Sequence, residues 1–333
     1  MKIHKNSSSF PRISLLAIGH LVPEDLAERL FVADRFPGVQ TLKFQRRLAE
    51  ALLSAGDTDV QWLSSPPVTD WSPLRWLGLR KWRHRLANNG RFDIVMPVIN
   101  IVPIKQICVL IGCFLGGLIW GLQHFGCRKV ILLADAFGPH IIAALIIGRI
   151  FRCPVVGTIT DLPGLIDLPD SLFKRLLRPL DRWLIHMLLR KLEGLIVLSE
   201  WTHHDFFPTI PYLLMEGFAE DCIGKTLETS GKRIKSVEDF VVLYTGMLSK
   251  AYGLELLIET MQYIDDPHVK LWVLGKGEDV ALLEAAATDD PRICYFGFVE
   301  SGEVGHFFKR ASVLVNPRPA DQTQSVQFSI QNS

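Results

Sequence analysis

The chain has 333 residues, 48% hydrophobic and 21% charged, with 36 Lys and Arg against 35 Asp and Glu and a net charge of +1. That length and apolar fraction can bury a large core and favour about two domains. Balanced charge gives no support to bulk nucleic-acid binding, which needs a strongly basic domain, so nucleic acid is not an expected partner.

The N-terminal Met1-Lys-Ile-His-Lys-Asn-Ser-Ser-Ser is polar, and the apolar run Ile13 to Ile18 is too short for a signal peptide. Ile13 to Gly19 reads as a first strand. Gln40 to Leu53 reads as a helix, with Leu42, Leu48, Leu52 and Leu53 on one face and Gly38 just before it. Further strands follow at Val60 to Leu63, Phe92 to Pro97 and Val130 to Ala134, the last leading to Asp135-Ala-Phe-Gly138. Ile107 to Leu122 is uncharged and slightly shorter than the roughly 20 residues a bilayer needs. With a strand following almost at once, it reads as a helix sandwiched in the first domain, a dipped helix at a lipid interface being the alternative. Helix Ile141 to Phe151, strand Pro154 to Ile159, helix Ser171 to Leu192 and strands Leu195 to Leu198 and Tyr212 to Met215 close this half. Alternating strands and helices imply a parallel, doubly wound sheet, with ligands bound beyond the C-terminal ends of its strands.

Cys222 to Glu238 is polar and reads as a linker, which divides the chain into 1–222, 223–238 and 239–333. The second half repeats strand, glycine loop and helix. Val241-Val-Leu-Tyr-Thr-Gly246 leads to the turn Lys250-Ala-Tyr-Gly253 and the amphipathic Leu254 to Thr260; Lys270-Leu-Trp-Val-Leu-Gly275-Lys-Gly277 does so again. Arg292 to Val299 and Ser312 to Asn316 give two more strands. This ordered series resembles the donor-sugar domain of the retaining, family-4 type glycosyltransferases (glycosyl transferases group 1) of GT-B architecture.

The resemblance implies an α/β fold of two Rossmann-like, doubly wound parallel-sheet domains facing a cleft, the second incomplete. It implies sugar transfer from a nucleotide-sugar donor to an envelope glycan or lipid-linked acceptor. The leaving group is then a nucleoside diphosphate, whose developing charge needs backbone N–H groups and a cation. On this pattern Gly246, Lys250 and Gly253 form the phosphate loop, Gly275 and Gly277 the Gly-x-Gly loop, Val299 the place where the base is held by backbone groups, and Gly38 the first-domain glycine near the phosphates. Met247 and Tyr252 stand where the commoner form has Arg and Lys, so Lys250 reaches the diphosphate from a shifted position, or the loop is a structural turn. For each glycine a tight turn without ligand is the alternative. Asp161 is the candidate for orienting an acceptor hydroxyl or donor sugar, against a cap beside Pro163. His140 is the candidate facing the cleft, against a histidine merely packed at a helix start. No metal or other cofactor is implied, the donor being a substrate.

Other features are weaker. Gly224-Lys225-Thr226 lacks the glycine a P-loop needs five positions earlier, and His203-His204-Asp205 has no helical ligand spacing and reads as solvated surface. Trp71 to Leu86 interleaves tryptophans with Arg75, Arg80, Lys81, Arg83 and Arg85, and Ser171 to Leu192 adds six more cations around leucines. Such segments suit an anionic membrane surface, a solvated face being the alternative. The six cysteines at 108, 113, 127, 153, 222 and 294 show no CxxC pairing and mostly lie in apolar runs, as reduced thiols do in the cytosol. The location expected is cytoplasmic, peripheral on the inner face of the membrane.

After Asn316 the resembled family continues into a helix bearing two Glu that contact donor ribose and sugar, whereas this chain runs through Asp-Gln-Thr-Gln-Ser to Ser333. The expectation is a truncated enzyme whose transfer is impaired. A non-catalytic, membrane-associated remnant or subunit, and another nucleotide-sugar enzyme such as an epimerase, are the other classes open.

Overall fold

The computed structural model describes residues 13–34, 38–55, 58–69, 72–83, 92–160, 172–218, 239–299 and 301–317. It divides into two compact units, Met1–Ala219 with the last five residues, and Glu220–Phe328.

In the first unit β1 (Ile13–Gly19) is followed by α1 (Glu24–Ala33), α2 (Val39–Ser54) and β2 (Thr58–Ser64). The short strands β3 (Trp76–Leu77), β4 (Arg80–Trp82), β5 (Asp93–Val95) and β6 (Val98–Ile99) come next. Then follow α3 (Ile104–Gln123), β7 (Arg128–Leu133), α4 (Gly138–Phe151), β8 (Val155–Ile159), α5 (Leu172–Leu189), β9 (Gly194–Val197), α6 (Glu200–Phe206) and β10 (Tyr212–Leu214). The main sheet has the order β10-β9-β8-β7-β1-β2-β5-β4. Its strands run parallel except β4, which pairs antiparallel with β5. The chain leaves β1 towards β2 and β5, then returns to β7 on the other side, so the order reverses between β1 and β7. At such a reversal the flanking loops part and leave a crevice beyond the strand ends.

Continuous apolar runs make the central strands because helices cover both sheet faces. In β1 every residue from Ser14 to Gly19 is buried. Leu16, Ile18, Leu63, Ile131 and Leu133 are at 0% exposure. The sequence reading missed α1, whose Leu26, Ala27 and Leu30 point inward. It also missed β3 and β4, which lie where a basic, tryptophan-rich segment was read.

The sandwiched helix expected at 107–122 is α3, and it is sandwiched on one face only. Four glycines set how closely that face packs. A Cβ on Gly117 would stand 2.2 Å from Ile147 of α4, one on Gly121 would stand 2.2 Å from the Phe151 ring, and one on Gly116 would stand 2.7 Å from Met96. Gly112 also faces Met96. The opposite face carries Ile107, Ile111, Leu115, Ile119 and Leu122, each more than half exposed.

The second unit holds β11 (Phe240–Met247), a 3-10 turn at Lys250–Tyr252, α7 (Leu254–Thr260), β12 (Val269–Lys276), α8 (Val280–Asp289), β13 (Ile293–Tyr295), α9 (Ser301–Arg310) and β14 (Val313–Leu314). Its sheet is parallel, in the order β13-β12-β11-β14. The direction of strand addition again reverses, here between β11 and β14. Leu248, Leu254, Leu271, Val273 and Leu283 are the centre of its core. The expected strand Ser312 to Asn316 is shorter than read, and the expectation about the chain's end falls on 318–333, outside the described residues.

Candidate functional site

The first unit gathers a cluster of titratable side chains at its strand reversal. His20 follows β1, Ser65 follows β2, Asp135 follows β7, and His140 lies in the first turn of α4. Gln45 of α2 ties the strand ends together: its Oε1 accepts the His20 N–H at 2.7 Å and its Nε2 donates to the Ala134 carbonyl at 3.1 Å. Gly19 leaves room for this amide, since a Cβ there would stand 2.7 Å from Gln45 Oε1.

Around this clamp the side chains close into a ring. Asp135 Oδ1 accepts from His140 Nδ1 at 2.8 Å and from the Phe137 N–H at 3.1 Å. His140 Nε2 is 3.0 Å from Ser65 Oγ, and Ser65 Oγ is 3.0 Å from His20 Nδ1. His20 Nε2 faces Asp135 Oδ2 at 3.5 Å.

Burial disfavours charge on His140, but the Asp135 carboxylate and its hydrogen bond outweigh that and raise its pKa to about 10. Burial would push Asp135 up, yet the His140 charge, with His20 and two hydrogen bonds, holds it at about 2. His20 moves the other way, its pKa lowered by burial and by the His140 charge despite Asp135. The pair Asp135–His140 is therefore ionised while His20 is neutral at pH 7. With both His140 nitrogens protonated, Ser65 accepts at Oγ, while His20 Nδ1 lies 3.0 Å from both the Ser65 Oγ and the Ser65 carbonyl oxygen, which can only accept.

His140 itself is at 0% exposure and cannot touch a substrate. The more open members are His20, with a side chain 19% exposed, and Asp135 at 11%. Asp135 Oδ2 has no hydrogen-bond donor on it. The open side of the ring thus offers the His20 imidazole, while Asp135 Oδ2 is itself buried. The three atoms of His20, Asp135 and His140 are also close enough to share a metal ion.

Gly38 sits at the N-terminus of α2, with nothing within 4 Å of where its Cβ would be. Asp161 lies outside the described residues.

In the second unit the predicted loop residues come together at the C-terminal ends of β11 and β12. Gly246 and Gly275 are register partners. A Cβ on Gly275, at φ 143°, would stand 1.9 Å from the Gly246 carbonyl oxygen, and one on Gly277 would stand 2.0 Å from that of Leu248. Leu248 donates to the Lys276 carbonyl at 3.1 Å, and Asp279 N–H donates to Leu248 O at 3.1 Å. The two glycine loops therefore interlock, and Gly275 and Gly277 are glycine because a neighbouring backbone occupies the space of a side chain. Gly253, at φ 80°, ends the 3-10 turn and begins α7 in the left-handed region.

The Lys250 N–H donates to Asp279 at 2.7 Å, and its amine, exposed, pairs with Glu255 at 3.1 Å. Ser249 Oγ donates to Glu278 at 3.1 Å. Val299 follows β13, half-buried, beside Phe298, whose ring lies 5.0 Å from the Lys276 amine. Lys276 is exposed at the same strand ends and was not singled out in the sequence. His203, read as solvated surface, is instead buried, donating or accepting through Nε2 at 2.9 Å from the Ile210 carbonyl and stacked 3.9 Å from Tyr212.

Sequence reasoning found His140 but not its partners. Ser65 and His140 are 75 positions apart, and only the strand order brings them together. The one signal available was positional: His20 and Asp135 are the first polar residues after two apolar strands.

Residues 227–320 match the family model described as Glycosyl transferases group 1. No curated protein sequence matches the chain. Among solved structures it is similar to the lipopolysaccharide outer core galactosyltransferase WaaB in its apo form, at TM-score 0.54 and 9% identity over 95% of this chain and 78% of that one. It is also similar to Anabaena Alr3699/HepE in complex with UDP and glucose, at TM-score 0.51 and 13% identity over 90% and 73%. TarM follows at TM-score 0.50 and 9% identity over 90% and 79%. At these identities the likeness bears on the fold, and it agrees with two doubly wound α/β units.

Proposed function

We propose that this chain, a glycosyltransferase by its glycosyl transferases group 1 domain at 227–320, moves a hexose from a nucleoside diphosphate donor to a hydroxyl of a glycan or lipid-linked acceptor. The observation that carries the reading is the family match over the unit whose strand reversal holds the two interlocked glycine loops.

Breaking the bond between the donor's anomeric carbon and its phosphate oxygen leaves one further negative charge on the diphosphate, and the catalytic need is to meet that charge as it forms. Gly246 and Gly253 let backbone approach the phosphates, and Gly275 and Gly277 let the second loop close against the first. Lys250 supplies the cation, so the reading needs no metal ion. Glu255 holds the Lys250 amine in the free protein and has to release it when the diphosphate arrives. Lys276 stands ready as a second cation, and Val299 lies where the base is held through backbone groups. On the acceptor side His140 acts through Asp135 and His20, keeping one charged and the other neutral, while Gly38 and Asp161 complete the proposed contacts. The basic segments read in the sequence support a location on the cytoplasmic face of an anionic membrane.

HepE was solved with UDP and glucose and WaaB is named a galactosyltransferase, so UDP-glucose and UDP-galactose are the first donors to assay. Calorimetry with UDP, GDP and ADP, followed by mass detection of sugar transfer to lipid-linked and soluble acceptors, tests the reading. Absence of binding to every nucleoside diphosphate would overturn it. Met247 and Tyr252, in place of the commoner Arg and Lys, favour a second reading in which the chain binds the nucleotide without turning it over. Binding with no product from any donor would establish that one.

A further inference from the structure

The outer face of α3 is a continuous apolar surface that the described residues of the first unit leave open. Ile107, Ile111, Leu115, Ile119 and Leu122 repeat at four, four, four and three residues, with exposures of 53, 52, 51, 56 and 62%. At about 1.5 Å per residue this ridge runs roughly 22 Å. The glycines fix its direction. Because Gly117 and Gly121 admit nothing larger against α4, the branched side chains have only the outward face left.

Beside the ridge lies a groove of about 930 Å³ between α3 and the strand edge of β4 and β5. Met96, Ile111, Gly112, Leu115, Leu79 and Phe92 are among the residues that line it. Small-molecule sites span about 300–1,000 Å³, so this is large enough for a long alkyl chain. Monomers rarely expose so continuous an apolar surface unless something binds it.

The charge around the groove says what does. Among the described residues no Asp or Glu lines it, and α3 contains none. Lys81 of β4 is exposed on the lining, and the Arg83 guanidinium lies 4.3 Å over the Phe92 ring at the rim. Trp76 and Leu79 next to them are 68% and 58% exposed. Cations and a tryptophan bordering an apolar trough match the two zones of a lipid, phosphate above and hydrocarbon below.

We propose that the α3 ridge and its groove are a membrane-docking surface for anionic phospholipid, one acyl chain entering the groove and the phosphate resting on Lys81 and Arg83. The inference rests on the peripheral-membrane part of the functional reading and not on sugar transfer. α3 thereby lies along the bilayer surface; the face packed on α4 by its glycines stays with the protein.

The test is sedimentation of the full chain with vesicles of phosphatidylglycerol and phosphatidylcholine, mixed equally or phosphatidylcholine alone, at low and high salt. The unaltered chain should bind the anionic vesicles at least tenfold more tightly than the neutral ones. Ile111→Ser with Leu115→Ser and Ile119→Ser, all on the exposed face, should lose at least tenfold at both salts. Lys81→Glu with Arg83→Glu should lose only the salt-sensitive part, since screening shortens electrostatic reach. Circular dichroism and nucleotide calorimetry on each variant report folding and the second unit separately, so vesicle binding without transfer would sink the transferase reading and leave the groove standing. The proposal is overturned if the chain ignores anionic vesicles, or if the ridge variant binds them undiminished. It is equally overturned if the ridge proves to hold two copies of the chain together, seen as a lipid-free dimer that the ridge variant dissolves.

Discussion

Replacing His140 by Ala should be among the most damaging single changes to the first unit, because it removes the counter-charge of a buried carboxylate and leaves the carboxylate in place. His140 is at 0% exposure and Asp135 at 11%, and His20, 3.5 Å away, is neutral. Breaking a buried pair from one side costs roughly 3–5 kcal/mol. A pKa raised to about 10 against the ordinary 6.5 agrees with that order, at about 1.4 kcal/mol per tenfold change in proton affinity. The pH dependence gives a sharper check. The His140 contribution is fully present below its unfolded value of 6.5 and is lost as pH rises through about 10, while that of Asp135 is present above its unfolded 3.8 and is lost as pH falls through about 2. The deficit of the variant should therefore be largest from about pH 4 to 6.5 and shrink on both sides. Urea unfolding followed by tryptophan fluorescence measures it, in a Trp272→Phe background so that every remaining tryptophan lies in residues 1–219. A loss below about 1 kcal/mol at pH 6, or one that does not change between pH 6 and 9, would refute the ionised pair.

Lys250→Ala should weaken nucleoside diphosphate binding by roughly 1.5–3 kcal/mol, the worth of a hydrogen bond to a charged group, and Glu255→Gln should tighten it; calorimetry showing no change in either removes Lys250 from the site. Gly275→Ala puts a Cβ 1.9 Å from the Gly246 carbonyl oxygen at φ 143°, so the second unit should melt at lower temperature or fail to fold, and an unchanged melting curve would contradict the interlocked loops. Asp93 accepts the buried Trp62 N–H at 2.8 Å and burial raises its pKa to about 6. Since its folded value exceeds the unfolded 3.8, it lowers stability as pH rises from about 4 to 6, and Asp93→Asn should stabilise the first unit at pH 7 by about 1–3 kcal/mol and remove that slope.

The parallel strands were legible because strands buried on both faces spell themselves as apolar runs, as Ile13 to Gly19 and Val241 to Gly246 do. The glycine loops were legible as loops, but the reason for Gly275 and Gly277 was not: the backbone that excludes a side chain there belongs to a strand 29 positions earlier. β3 and β4, two and three residues long, are too short to show a period. A helix as apolar as α3 carries no mark of which side the protein covers; four glycines decide it, and only the positions of Ile147, Phe151 and Met96 reveal why. His140 could be found as a histidine at a helix start. Its charge could not, since that depends on Asp135 being ionised and on Ser65 arriving from another strand.

α3 faces two ways within three residues. Ile111 and Leu115 point to the open surface, and between them the Cys113 sulfur lies within hydrogen-bonding reach of His140. Because α3 is pressed against α4 with no slack at Gly117 and Gly121, it cannot roll or slide without carrying α4, and with α4 the imidazolium that fixes Asp135. The outer ridge and the charged ring at the strand reversal are thus backed by the same pair of packed helices, a lever one helix thick. A serine or alanine at Gly117 would act as a wedge in that lever, changing how the ring sits without touching any of its members.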